Sequence, residues 1–151
     1  MGKFRYWTSR DSKKKVVRNT IANEGHVAVL GALLDGLGGA GDLYVGLIDA
    51  SVGFPTAFQT LASKDWLEVT NYRESARQLW NRDTVDGQSV PNQECKPTVF
   101  TMSADTVLQG FFITDVQAKG ETTGKLLAIS DDTPELLYEH DRLFLEYSWE
   151  F

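Results

Sequence analysis

Residues 143–151 read LFLEYSWEF. Leu143, Leu145, Tyr147, Trp149 and Phe151 alternate with Phe144, Glu146, Ser148 and Glu150, a strict period of two. Neighbouring side chains of a strand point to opposite faces, so this spacing predicts a strand with a large apolar face inward and a mostly polar face outward. Two earlier runs, residues 43–48 (LYVGLI) and 106–114 (TVLQGFFIT), are apolar almost throughout. Runs of that length suit strands covered on both sides, and Gly110 marks a bulge or a close backbone approach in the second. Shorter strand candidates are residues 77–80, 97–102 (PTVFTM) and 125–129 (KLLAI). Six to eight short strands separated by turns predict a mainly β chain, an antiparallel β-sandwich or barrel.

One helix interrupts this pattern. Asn23 is a suitable N-cap and Glu24 suits the first turn. Val27, Leu30, Leu34 and Leu37 follow at i, i+3, i+7 and i+10, which predicts a single apolar stripe. The glycine run at residues 36–41 (GLGGAG) stops it. Between the strand at 43–48 and that at 77–80, a short helical turn over residues 61–65 leads into Trp66.

The 151 residues fit one domain with room for a substantial core. Seventeen aromatic side chains are many for that length, and they serve a β core first and an interface second. Charge is distributed unevenly. Residues 1–18 hold seven basic residues, Lys3, Arg5, Arg10, Lys13, Lys14, Lys15 and Arg18, against Asp11 alone. The remainder holds eight basic and twenty acidic residues, so the net charge of −6 conceals a basic leader on an acidic body. The expected organisation is therefore a basic N-terminal arm, residues 1–18, followed by a single β-sandwich domain, residues 19–151. As an arm, residues 1–15 are dispensable for folding. Within it, residues 13–18 read either as a short first strand or as the arm's base. A basic arm has three uses: contact with an acidic protein surface, contact with nucleic acid, or simple solvation. The acidic body disfavours a nucleic-acid face on the domain itself.

The motifs suggestive of catalysis do not survive their context. The glycine run matches G-x-G-x-x-G, but the dinucleotide fingerprint needs a strand before it and a helix after it, and here the order is reversed. Glu139-His140-Asp141 sets a histidine between acids, yet adjacent residues of an extended chain diverge, so a surface turn is expected. His26 falls in the first turn of the helix as an ordinary, partly exposed residue. Residues 131–135 (DDTPE) form an acidic loop without EF-hand spacing. Cys95 is a lone loop thiol, and two histidines with one cysteine make a poor metal inventory. No G-x-S-x-G is present. The expectation is a protein that is not an enzyme and uses no cofactor or metal. The first residues lack the apolar run of a signal peptide and no stretch is long enough to span a bilayer, which predicts a soluble protein made in the cytoplasm.

Seven segments in order resemble small tailed-bacteriophage head proteins of the decoration, or cement, type. They are NTIANEGHVAVLGALLDG (19–36), LYVGLIDA (43–50), LASKDWLEV (61–69), NYRESARQLW (71–80), TVLQGFFITD (106–115), GKLLAIS (124–130) and the alternating tail. The basic leader and the polar, proline-bearing segment 81–97 are not part of this pattern. The resemblance implies a jelly-roll-like sandwich on the capsid exterior that contacts the major capsid protein and copies of itself as a dimer or trimer, with no direct nucleic-acid or membrane contact. It also implies a localisation in the virion. Expected partner-binding residues are the seven basic residues of the leader together with Tyr72, Arg82 and Asp83; Trp66 and Trp80 are better placed in the core. A tail or tail-tip adaptor, and a carbohydrate- or receptor-binding sandwich using the aromatics and the 81–97 loop, are the alternative readings.

Overall fold

A computed structural model describes residues 2–34, 42–50, 53–80, 97–130 and 134–149. Eleven strands and one helix occur among them: β1 (Gly2–Thr8), β2 (Lys15–Arg18), β3 (Thr20–Ile21), α1 (Asn23–Leu34), β4 (Tyr44–Asp49), β5 (Glu68–Val69), β6 (Gln78–Leu79), β7 (Thr98–Thr101), β8 (Thr106–Thr114), β9 (Leu126–Ser130), β10 (Glu135–Leu137) and β11 (Arg142–Trp149). All pairings are antiparallel. One sheet has the order β2-β1-β11-β7, and the other β3-β9-β8-β4-β5, with β10 added to β8 and β6 to β4.

The two sheets pack as a sandwich. From the first sheet, Phe4, Tyr6, Val17, Phe100, Leu143, Leu145 and Tyr147 turn inward. They meet Val45, Leu47, Val69, Leu108, Phe111, Ile113 and Leu137 of the second. Phe4 is the hub, with its ring centroid 4.4 Å from Tyr147 and 5.2 Å from Phe111. Leu143, Leu145 and Tyr147 turn inward as the period of two predicts, while the Trp149 side chain and Phe151 lie outside what is described.

The second sheet is covered on its other face too, which explains why β4, β8 and β9 are apolar without alternation. A smaller core of Ile48, Leu61, Trp66, Phe112, Leu126 and Ile129, with Ala22, lies there. Trp66 sits with its ring centroid 5.2 Å from that of Phe112. Gly46 makes room for Phe112, because a Cβ on Gly46 would fall 2.1 Å from the ring. The expected irregularity near Gly110 is present: Ile48 pairs with Gly110 and Asp49 with Leu108, leaving Gln109 as the extra residue of a bulge.

Helix α1 belongs to this covering layer; of the expected stripe, only the Val27 side chain is among those described, the side chains of Leu30 and Leu34 lying outside them. Val27 is 70% exposed. The contact with β9 is made at Gly25, which is buried, and a Cβ there would fall 2.1 Å from the Leu127 carbonyl oxygen. Close approach to a strand selects for glycine at this point, where a search for bulky apolar residues finds no signal. The first helical bond runs from the His26 amide to the Ala22 carbonyl, so Ala22 occupies the cap and Asn23 is the first helical residue. Asn23 donates its amide to Ala57 O (2.9 Å), and the Glu24 carboxylate accepts from the Leu126 amide (2.8 Å). Leu37 and the glycine run lie outside the described residues, as does Cys95.

A buried ion pair fastens the loop between β8 and β9 to the segment joining β5 and β6. Arg77 donates from Nε and Nη2 to the two oxygens of Glu68 (2.8 and 2.7 Å), and from Nη1 and Nη2 to the carbonyls of Val116 and Glu121 (2.9 and 2.8 Å). Both side chains are almost fully buried. Every guanidinium nitrogen has a partner, the condition under which burying such a pair is tolerable.

Candidate interaction face

The basic leader is not an arm. Residues 2–8 form β1, paired over seven positions with β11, and residues 15–18 form β2 on its other side. The leader is charged and alternating at once: Phe4, Tyr6 and Thr8 point into the core, while Lys3, Arg5 and Trp7 point out. Charge drew the expectation of an arm, and the alternation beneath it settles the structure.

The outer face of this sheet can be built row by row from the register. Arg18 lies beside Lys3; Val16 beside Arg5 and Arg5 beside Glu146; Trp7 beside Phe144 and Phe144 beside Val99; Arg142 beside Thr101. The Trp7 and Phe144 rings stack, 5.4 Å apart with 9° between their planes. Lys14 reaches over from the β1–β2 turn, its Nζ 4.5 Å from the Trp7 ring centroid and 3.3 Å from Glu146 Oε1. The Arg142 guanidinium lies 5.6 Å from the Phe144 ring centroid. Five cations, Lys3, Arg5, Lys14, Arg18 and Arg142, thus share this face with one stacked aromatic pair and one carboxylate. No carboxylate among the described residues pairs with Arg5 or Arg18.

The remaining expected residues divide. Arg10 is committed to the fold: its Nε is 2.8 Å from Asp141 Oδ2, its Nη2 donates to Leu136 O (3.2 Å), and its guanidinium stacks 4.1 Å from the Tyr138 ring centroid. Lys15 points toward the sandwich edge, where its Nζ meets Glu135 Oε2 at 2.5 Å and ties β2 to β10 across the two sheets. Lys13 is exposed in the turn, its amide bonded to Asp11 Oδ1. Tyr72, expected at a partner surface, is 3% exposed. It packs edge-on against Phe100, beneath the Lys119 ammonium 4.0 Å from its centroid, and burial raises its phenol well above the ordinary range. Arg82 and Asp83 lie outside the described residues.

Arg142, Phe144 and Trp7 complete the face and were absent from the expected set. Their signal was the outward half of two alternating strands, which becomes one surface only when β1 and β11 pair. The turn expected at Glu139-His140-Asp141 is present, with His140 at φ 72° and in contact with Arg73, but its Asp141 is buried and holds Arg10 and the Tyr138 amide. Among the described residues no group of three or more His, Cys, Asp or Glu is arranged to hold a metal ion. No helix among them is long and apolar enough to cross a membrane. Comparison with known proteins gave no matching family model, no matching curated protein and no matching solved structure.

Proposed function

We propose that the chain is a non-enzymatic structural protein of a tailed-bacteriophage virion, a decoration or cement protein with a jelly-roll-like sandwich, which docks on the capsid exterior through the outer face of the β2-β1-β11-β7 sheet. The observation that carries the docking role is the concentration of five cations and a stacked Trp–Phe pair on one rigid sheet face of an acidic chain. The capsid assignment rests on the ordered segments from the helix through the alternating tail. An acidic protein surface with an apolar centre complements this face: the charges orient the encounter, and the aromatic pair supplies buried area. In a shell, each copy would bury surface across a seam between major capsid subunits and so favour the mature lattice by mass action. Repetition over the shell would reinforce individually modest contacts.

The test is binding of purified protein to expanded, DNA-emptied heads, with copies per particle counted. Hundreds per virion are expected, and binding weakens as salt rises because exposed charges are screened. Arg5→Glu combined with Arg142→Glu reverses two charges on outward-facing positions and weakens binding at least about tenfold while the fold is retained. Localisation to tails, or to no particle, refutes the assignment. Unchanged head binding by the double variant refutes the role of the face.

A further inference from the structure

The opposite side of the molecule carries a second surface with a different chemistry. There the covering layer over the second sheet exposes Phe58 (84%), Val27 (70%) and Phe54 (68%), its most exposed large apolar side chains. Phe58 is held outward by a built turn. Pro55 is buried, the Gln59 amide bonds Thr56 O and its side chain accepts from the Thr56 amide and donates to Asp65 Oδ1, and the Ala57 carbonyl is fixed by the Asn23 amide. Beside that last bond lies an apolar concavity of about 280 Å³, lined by Asn23, Glu24, Val27, Ala28 and Lys125. A cavity of about 150 Å³ accepts a benzene-sized ring, so a phenyl group fits.

We infer that this surface is a two-fold contact between copies of the chain, in which Phe58 of each copy enters the concavity of the other. A knob adjacent to a hole on one molecule is self-complementary under a two-fold axis, which closes the assembly at two copies. Burying the two phenylalanines and Val27 removes about 400 Å² of surface per copy, taking roughly 200 Å² for a whole phenylalanine. A stable interface needs about 800 Å² per partner, so the patch supplies about half and forms its apolar centre. One carboxylate and one ammonium line the concavity, which leaves it without the net charge that would select an oppositely charged partner. Self-association as a dimer or trimer is already what the resemblance implies; the surface and its two-fold geometry are read from the other face of the molecule and do not rest on the capsid docking.

Sedimentation velocity of the full chain from micromolar to a few hundred micromolar tests it. The wild type is expected to pass from monomer to dimer with protein concentration and to persist as dimer at high salt. Phe58→Ser and Val27→Asp each weaken self-association at least about 30-fold, the loss characteristic of a central interface residue, while circular dichroism and thermal midpoint remain near wild type because both side chains are exposed. Mixing the two variants restores one of the two contacts, so the mixture associates more tightly than either variant alone. A wild type monomeric throughout the range overturns the inference, as does Phe58→Ser with undiminished dimerisation, or Phe58 and Val27 buried only when another protein binds. A wild type that binds heads but stays monomeric sinks this inference alone; one that dimerises but binds no heads sinks the capsid reading alone.

Discussion

Replacing Arg77 with methionine isolates what the buried ion pair contributes. Methionine fills much of the volume but removes all four donated bonds, leaving the Glu68 carboxylate with the Gly120 amide at 2.9 Å. Breaking a buried pair by removing one partner costs about 3–5 kcal/mol, because the survivor stays desolvated and charged. Single domains are stable by about 5–15 kcal/mol, so the variant gives up about a fifth or more of its margin. The double variant Arg77→Met with Glu68→Leu removes the stranded charge. It leaves the Val116 and Glu121 carbonyls to water at the loop, and its stability should return to within about 2 kcal/mol of wild type. The coupling between the sites is then at least about 2 kcal/mol. Urea unfolding followed by tryptophan fluorescence measures this, with Trp66 reporting from the smaller core. A loss below about 1 kcal/mol for Arg77→Met, or a double variant whose loss equals the sum of the singles, refutes the account.

Two further outcomes follow from particular residues. The phenols of Tyr72 and Tyr147 are both raised, chiefly by burial, above the ordinary value of 10.0. The unfolded chain therefore ionises first as pH passes 10, the folded state retains more protons, and stability that is intact below pH 10 falls above it by about 1.4 kcal/mol per pH unit for each phenol. Denaturant titrations between pH 9 and 11.5 should show that fall, and Tyr72→Phe should roughly halve its slope at little cost at pH 7, since the buried Tyr72 hydroxyl has no hydrogen-bond partner among the described residues; an unchanged slope refutes the assignment. Deleting residues 2–15 removes β1, which lies between β2 and β11, and should abolish the cooperative transition rather than trim an appendage; a two-state unfolding curve for the truncated chain would contradict this.

The sequence is most legible where local pattern and tertiary environment agree. Residues 106–114 form β8 as read, and the alternating tail forms β11 with Leu143, Leu145 and Tyr147 inward. Legibility fails where a stronger signal overlies the structural one. Lys3 and Arg5 conceal the alternation of Phe4 and Tyr6, so β1 reads as an arm. Gly25, small because it meets the Leu127 carbonyl, carries no apolar signal, whereas the exposed Val27 does. Strands of two or three residues, such as β3, β5 and β10, are set by their partners rather than by any run of their own. Half of the candidate face was legible as charge; Arg142, Phe144 and Trp7 were not, because their common surface is created by pairing.

That pairing has a kinetic side. Gly2 opposes Trp149 and Thr8 opposes Leu143, so the two strands that together make the cationic face are separated by nearly the whole described chain. Until β11 has been synthesised, β1 has only the four-residue β2 to lie against, and its inward aromatics have no finished core to enter. Contacts so distant in sequence slow folding, because chain closure precedes any gain from the pairing. The cationic face is consequently among the last features of the molecule to exist, and under the proposed docking role a chain still being translated cannot engage its partner. On that proposal, recognition is reserved for molecules whose synthesis has reached β11, a form of quality control inherent in the strand order.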